Sequence, residues 1–144
     1  MKFEDSVGAL AAMQRAGKIR HLGLSNVSVK QLEQARKIAP IVSVQNRYNL
    51  GDRHSEDVLA ACEKLGIAFL PWYPLAAGNS LGSKKVKDFA KKKGKSAAQI
   101  MIAWLLAKSP AMLPIPGTSS IVHLEENVAA AALKLEPAEM EALA

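Results

Sequence analysis

The sequence predicts an α/β fold built on a parallel sheet, and three observations carry that expectation. Short β-branched runs alternate with amphipathic helical stretches along the whole chain. Each run is followed by a loop with Ser, Asn, Pro or Gly before the next helix begins. No Gly-x-Gly-x-x-Gly follows the first run, so the usual phosphate fingerprint of a doubly wound sheet is missing. A doubly wound sheet and a (β/α)8 barrel both fit the alternation. The missing fingerprint favours the barrel, and four βα units are half of the eight that a closed barrel needs.

The elements follow in order. A first helix is expected over about Asp5 to Ala16, stopped by Gly17 as a left-handed cap. His21-Leu22-Gly23-Leu24 reads as the first strand, with Ser25-Asn26 in the loop after it. Ser28 is placed to cap a helix that runs through Ala39 to Pro40. Ile41 to Val44 forms the second strand with Gln45 at its end, and a helix from about Ser55 to Leu65 closes at Gly66. Ile67 to Leu70 is the third strand, leading into Trp72-Tyr73-Pro74-Leu75. The third crossover holds a basic helix around Val86 to Lys93 and a second helix capped by Ser96 that reaches about Lys108. Met112 to Ile115 is the fourth strand, and Pro114 within it points to an irregular or edge position. Pro116-Gly117-Thr118-Ser119-Ser120 opens a helix through about Ala132, and Leu135 onward forms a short tail helix.

The bulk properties narrow the class. With 144 residues the chain suits one domain, taken as 1–144, that can bury a core; 49% of it is hydrophobic and 22% charged. The longest apolar stretch, Ala97 to Ala107, is too short for a membrane span. The start, Met1-Lys2-Phe3-Glu4-Asp5, lacks the basic-then-apolar order of a signal peptide. A lone Cys62 excludes an internal disulfide framework and fits a reducing compartment, so the expected location is cytoplasmic. Much of the net charge of +6 lies in Lys84, Lys85, Lys87, Lys91, Lys92, Lys93 and Lys95. Phe89 is the single aromatic residue within that run, too few for a base-stacking platform, and no helix-turn-helix or zinc spacing accompanies it. A solvated helix face is the preferred reading, with nucleic acid the runner-up.

In parallel βα architectures ligands gather where the loops leave the C-terminal strand ends. Those positions hold Ser25-Asn26, Gln45, Trp72-Tyr73-Pro74-Leu75 and Pro116 through Ser120. Amide side chains both donate to and accept from a carboxamide, a large aromatic offers a stacking face, and a helix start with small residues presents N–H groups to phosphate. The inventory suits a nicotinamide dinucleotide.

Here a family resemblance enters. Gly17-Lys18-Ile19-Arg20-His21-Leu22-Gly23-Leu24-Ser25-Asn26 resembles the fifth-strand segment of aldo-keto reductases, and Val44-Gln45-Asn46-Arg47-Tyr48-Asn49 resembles their sixth. Trp72-Tyr73-Pro74-Leu75 is similar to the family's Y-S-P-L, and Ile115-Pro116-Gly117-Thr118 with Glu125-Glu126-Asn127 is similar to its eighth-strand signature. Four motifs in family order make the match specific. The resemblance implies a half TIM-type barrel, a (βα)4 parallel sheet with flanking helices corresponding to strands five to eight.

It also implies roles. Ser25, Asn26 and Gln45 would bind the nicotinamide carboxamide, and Trp72 would stack on the ring. The backbone around Pro74 and Leu75 would line a pyrophosphate channel. Thr118, Ser119, Ser120 and His123 would face the adenosine 2′-phosphate, with Glu126 and Asn127 at adenine, and Pro116 and Gly117 also belong to the cofactor-binding set. Gly117 stands where many members carry lysine and His123 where many carry arginine, which weakens without reversing the expected preference for NADPH over NADH. The family's Asp, Tyr, Lys and His tetrad belongs to the other half of the barrel, and no residue here inherits those roles by motif.

The expected function is therefore an NADP(H)-binding oxidoreductase of low activity on small reactive aldehydes or dicarbonyls such as methylglyoxal. The alternative is a non-catalytic cofactor-binding, structural or oligomerisation module. Tyr48 and Tyr73 are the two tyrosines and the candidate proton donors, although each also reads as structural. Trp104 and Cys62 read as core, His21 as lying at the stability face, and His54 as a solvated loop residue. No cluster has metal-ligand spacing. Four strands cannot close a barrel, so two open edges predict a homodimer or higher homo-oligomer.

Overall fold

The computed structural model describes residues 2–76 and 83–144. Its elements alternate as expected. Helix α1 (Phe3–Arg15) precedes β1 (Leu22–Ser25), α2 (Val29–Arg36), β2 (Ile41–Gln45), α3 (Glu56–Leu65) and β3 (Ala68–Phe69). Then come α4 (Lys84–Lys93), α5 (Ala97–Lys108), α6 (Ile121–Ala129) with a 3-10 turn at Ala130–Ala132, and α7 (Pro137–Leu143).

Local chemistry sets the boundaries. Ser28 and Ser96 each close a capping box, with Gln31 and Gln99 returning the bond, so two orphan N–H groups are satisfied at each start. Glycines in the left-handed region end α3 at Gly66 and α4 at Gly94. Two helices depart from expectation. Helix α2 ends at Arg36 rather than running to Ala39, with Ile38 and Ala39 both bonded back to the Ala35 carbonyl. Helix α6 starts at Ile121, because Ser120 is spent as its cap on the His123 N–H at 3.4 Å.

The three strands pair in parallel in the order β1-β2-β3. Between β1 and β2 the register slips past Val42, and a Cβ on Gly23 would meet Ser43 Oγ at 2.4 Å, so the Ser43 side chain occupies the space that a side chain at Gly23 would need. The expected fourth strand, Met112 to Ile115, is reduced to a single parallel bridge between Phe69 and Met112. Phe69 donates to the Ala111 carbonyl at 2.7 Å and accepts from Leu113 N–H at 2.8 Å. The next bond of the ladder would run from residue 71 to the Leu113 carbonyl, but Pro71 has no N–H to donate, and the ladder stops there.

Helix α5 is apolar nearly all round, and Gln99 through Leu105 are all buried. Trp104 stacks on Tyr48 at 6.4 Å between ring centroids, and Tyr48 meets Phe69 edge-on at 5.8 Å. These rings join helix α5 to the sheet, with Leu32, Val44, Cys62 and Leu105 completing the centre of one core. Among the described residues no helix is long and apolar enough to cross a membrane.

Gly66 isolates a backbone effect, since a Cβ there would touch nothing within 4 Å while φ is +64°. Gly66→Ala is expected to cost about 1 kcal/mol in urea unfolding, with an unchanged slope. An unchanged midpoint would show that the left-handed cap contributes nothing.

Candidate functional site

The C-terminal ends of the three strands are tied together by side chains. Ser25 Oγ and Asn26 N–H both donate to the Gln45 carbonyl, at 3.1 and 3.0 Å, which fixes the end of β1 against β2. Asn26 lies in the left-handed region at φ 55°, a conformation its short amide tolerates. Its Nδ2 donates to Ser25 Oγ at 3.0 Å, and its Oδ1 accepts from Trp72 Nε1 at 2.9 Å. One amide thus joins the loop after β1 to the segment after β3. The Gln45 side chain is half-buried and makes no hydrogen bond to a described residue, so its amide is open to a ligand.

Trp72 is half-buried, with the Arg47 guanidinium 5.7 Å from its ring centroid and 5.1 Å from that of Tyr73. Arg47 is in turn paired with Asp52 at 2.9 Å, and Asp52 with His54 at 2.6 Å. The His54 hydrogen bond, helped by the charge of Arg47, holds the Asp52 carboxyl below the usual carboxylate range. His54 is exposed as expected, but it orients an acid that anchors Arg47 over the aromatic pair.

Two asparagines that the sequence analysis gave no structural role position this rim. Asn46 is buried and clamps the loop after β1, donating to the Val27 carbonyl at 2.8 Å and accepting from Val27 N–H at 3.0 Å. Asn49, also buried, donates to the Tyr73 carbonyl at 3.1 Å, beside the positive φ of 62° at Tyr73. Paired amides satisfying a neighbouring loop's backbone are the available signal, and they become visible only once the loops are adjacent in space.

The two tyrosines separate. Tyr48 is fully buried, and its hydroxyl donates to Glu56 Oε2 at 2.5 Å. Burial, then the Glu56 bond, pushes its phenol above the usual range, so it stays protonated and out of reach of a rim ligand. Burial also raises the Glu56 carboxyl, but hydrogen bonds from Lys108 and Tyr48 outweigh it and hold the group low. Tyr73 is exposed and adjoins Trp72 at 6.3 Å between centroids. Trp104 is buried as core, and His21 is exposed just before β1. Burial pushes the Cys62 thiol up to about 11. Among the described residues no group of His, Cys, Asp and Glu is arranged to hold a metal.

Beside the rim lies a cleft of about 620 Å³ between the segment after β3 and the start of α6. Pro74, Leu75, Pro116, Gly117, Thr118, His123, Glu126 and Asn127 all line it. Ser119 and Ser120 do not; Thr118 Oγ1 accepts from Ser120 N–H at 3.1 Å, which turns the chain into the helix. Ser25, Asn26, Gln45 and Trp72 belong to the rim instead. Gln99 joins the cleft floor to α6 by donating to the Glu126 carbonyl at 3.2 Å.

Two expected outcomes follow from this geometry. Asn26→Ala removes the acceptor for Trp72 and leaves alanine in the left-handed region, and is expected to cost about 1–3 kcal/mol. It should also shift Trp72 emission to the red; unchanged emission and stability would show that the bond does not order the rim. Cys62 is expected to react with a thiol reagent at pH 8 only as fast as the protein unfolds, because burial keeps it a protonated thiol. Rapid labelling of the folded protein would contradict that burial.

A sequence model of the Aldo/keto reductase family matches residues 1–144. An uncharacterized oxidoreductase of Schizosaccharomyces pombe is 49% identical over 133 residues, covering 92% of this chain and 44% of the relative. Pyridoxine 4-dehydrogenase of Escherichia coli is 46% identical over 133 residues, covering 92% of this chain and 46% of the relative. The chain therefore spans about half the length of the curated relatives it matches. Among solved structures, a thermostable aldo-keto reductase bound to the inhibitor epalrestat superposes with a TM-score of 0.89 at 36% identity, over 99% of this chain and 54% of that one. An aldo/keto reductase from Klebsiella pneumoniae, in complex with NADP and acetate, superposes with a TM-score of 0.87 at 27% identity, over 98% of this chain and 53% of that one.

Proposed function

The chain belongs to the aldo/keto reductase family, and from that premise we propose that it binds NADP(H) and reduces small reactive aldehydes or dicarbonyls, such as methylglyoxal, at low rate. The observation that carries this reading is spatial. Eight residues that the family motifs assign to the cofactor, from Pro74 to Asn127, line one cleft, which lies beside a rim carrying the rest of the predicted set apart from Ser119 and Ser120. The cleft volume of about 620 Å³ falls within the range of small-molecule sites, roughly 300–1,000 Å³. The open amide of Gln45 and the half-exposed face of Trp72 fit a nicotinamide carboxamide and ring. The relative bound to NADP supports the same cofactor.

When bound, the cofactor supplies a hydride to a carbonyl carbon. The protein's part is to hold and orient. Gln45 fixes the carboxamide, while Asn26, itself locked by Trp72, keeps the stacking ring in place. Such positioning supplies about 7–11 kcal/mol in the best aligned reactions. Losing a positioned general acid costs about 10²–10⁴-fold, which leaves slow turnover. Tyr48 is closed off by burial and by Glu56, so the proton for the product oxygen comes from Tyr73 or water. An activated dicarbonyl needs less of this help than an ordinary ketone.

The same proposal includes self-association. The free edge of β1 and the interrupted ladder at Met112 leave backbone groups unpaired at both ends of the described sheet. Helix α6 buries none of its residues and exposes Ile121, Val122, Leu124 and Val128. Two copies would supply eight βα units and cover that apolar surface.

Reduction of methylglyoxal is expected to oxidise NADPH above the buffer rate, and Gln45→Ala and Trp72→Ala are expected to abolish it. Tyr73→Phe tells the proton sources apart, since full activity there identifies water. No rate in the parent, or full rate in both rim variants, favours the non-catalytic cofactor-binding module. Light scattering at micromolar protein is expected to give twice the chain mass; a monomer mass contradicts the self-association.

A further inference from the structure

The basic helix α4 carries six lysines, and its face reads at first as solvated. The structure divides them. Lys84 pairs with Asp88 at 2.8 Å and Lys93 with Glu139 at 2.6 Å. Lys85, Lys91 and Lys92 are exposed and lie away from the cleft. Lys87 is the lysine that lines the cleft, together with Leu75, Thr118, His123 and Asn127. Its ammonium has no carboxylate partner among the described residues.

We infer that Lys87 is a phosphate-binding residue of this cleft, contacting a phosphate of the dinucleotide. The inference rests on the cofactor reading above and extends it to a residue that no motif assigns. Its physical basis is charge. At the start of α6 the cleft is lined by Gly117, Thr118 and His123, none of which is a lysine or an arginine. A phosphate brought into a cleft that also contains Glu126 would meet a carboxylate and, among the described residues, no lysine or arginine apart from Lys87. Lysine serves phosphate as a point charge on a flexible stem, so it can reach across a cleft without the fork geometry of arginine. Ser83 starts the helix by capping Val86 N–H, and Val86 and Ala90 anchor its inner face in the core. Lys87 therefore projects from a fixed helix.

The test is equilibrium binding of NADPH and NADH at low ionic strength, followed by Trp72 fluorescence, in the parent, Lys87→Ala, Lys87→Arg and Lys85→Ala. Circular dichroism checks that each variant is folded. Lys87→Ala is expected to weaken NADPH binding about tenfold or more, the usual loss for a charge-assisted bond. Lys87→Arg should retain most of the affinity, and Lys85→Ala should stay within twofold of the parent. A loss confined to NADPH places Lys87 at the 2′-phosphate, and an equal loss with NADH places it at the pyrophosphate. NADPH affinity unchanged in Lys87→Ala, with the parent binding normally, overturns this inference and leaves the cofactor reading standing. An equal loss in Lys85→Ala also overturns it, because the effect is then one of general charge. A parent that binds neither nucleotide overturns both.

Discussion

Parallel strands deliver their loops to one surface only if they end at the same level, and here side-chain hydrogen bonds hold them there. The Gln45 carbonyl accepts from Ser25 and Asn26, and Asn26 accepts from Trp72, so β1, β2 and the segment after β3 share one short chain of bonds. Behind it Asn46 clamps Val27, and Asn49 holds the strained carbonyl of Tyr73. Everything proposed for the site presumes this fixed rim. The buried amides satisfy loop backbones and in doing so fix the loops that carry Gln45 and Trp72.

Beneath the rim, the core explains why half of a barrel architecture coheres. Trp104 of α5, Tyr48 after β2 and Phe69 of β3 form a run of rings that joins the central helix to the sheet. Tyr48 enters this core at the expense of its reactivity, with its hydroxyl committed to Glu56 and Glu56 in turn to Lys108 at 2.7 Å. The sheet edge and α6 are different, because β1 has no strand on its outer side among the described residues and the apolar side chains of α6 are exposed. The interior is closely packed, while Ile121, Val122, Leu124 and Val128 of α6 stay exposed.

Much of this was legible in the residues. Ser28, Ser96 and Gly66 marked helix ends because capping is local chemistry, readable within four residues. The parallel α/β architecture and the grouping of Pro74, Leu75, Thr118, His123 and Asn127 followed from strand order and motif spacing. What escaped depends on contacts distant in sequence. The fate of Met112 to Ile115 turned on its neighbour, where Pro71 has no N–H to extend the pairing past Phe69, and the run alone reads as a strand. The clamp by Asn46 joins residues far apart in the chain, as does the bond from Gln99 to Glu126. Lys87 looked like any member of a lysine run until the helix phase turned it toward the cleft. Ser120, assigned to a ligand by the family motif, also caps its own helix by accepting from the His123 N–H, a second role that the sequence does not announce.

We propose that rim and cleft form one continuous dinucleotide surface, with nicotinamide at the strand ends and the adenosine phosphates in the cleft. The most direct measurement compares nuclear magnetic resonance shifts on titration with NADP+ and with 2′,5′-ADP, which lacks the nicotinamide half. Both ligands are predicted to move the Thr118, His123 and Asn127 amides, while NADP+ alone moves the Gln45 side-chain amide and the Trp72 indole N–H. Identical shifts from the two ligands at Gln45 and Trp72, or no shifts in the cleft from either, would contradict it.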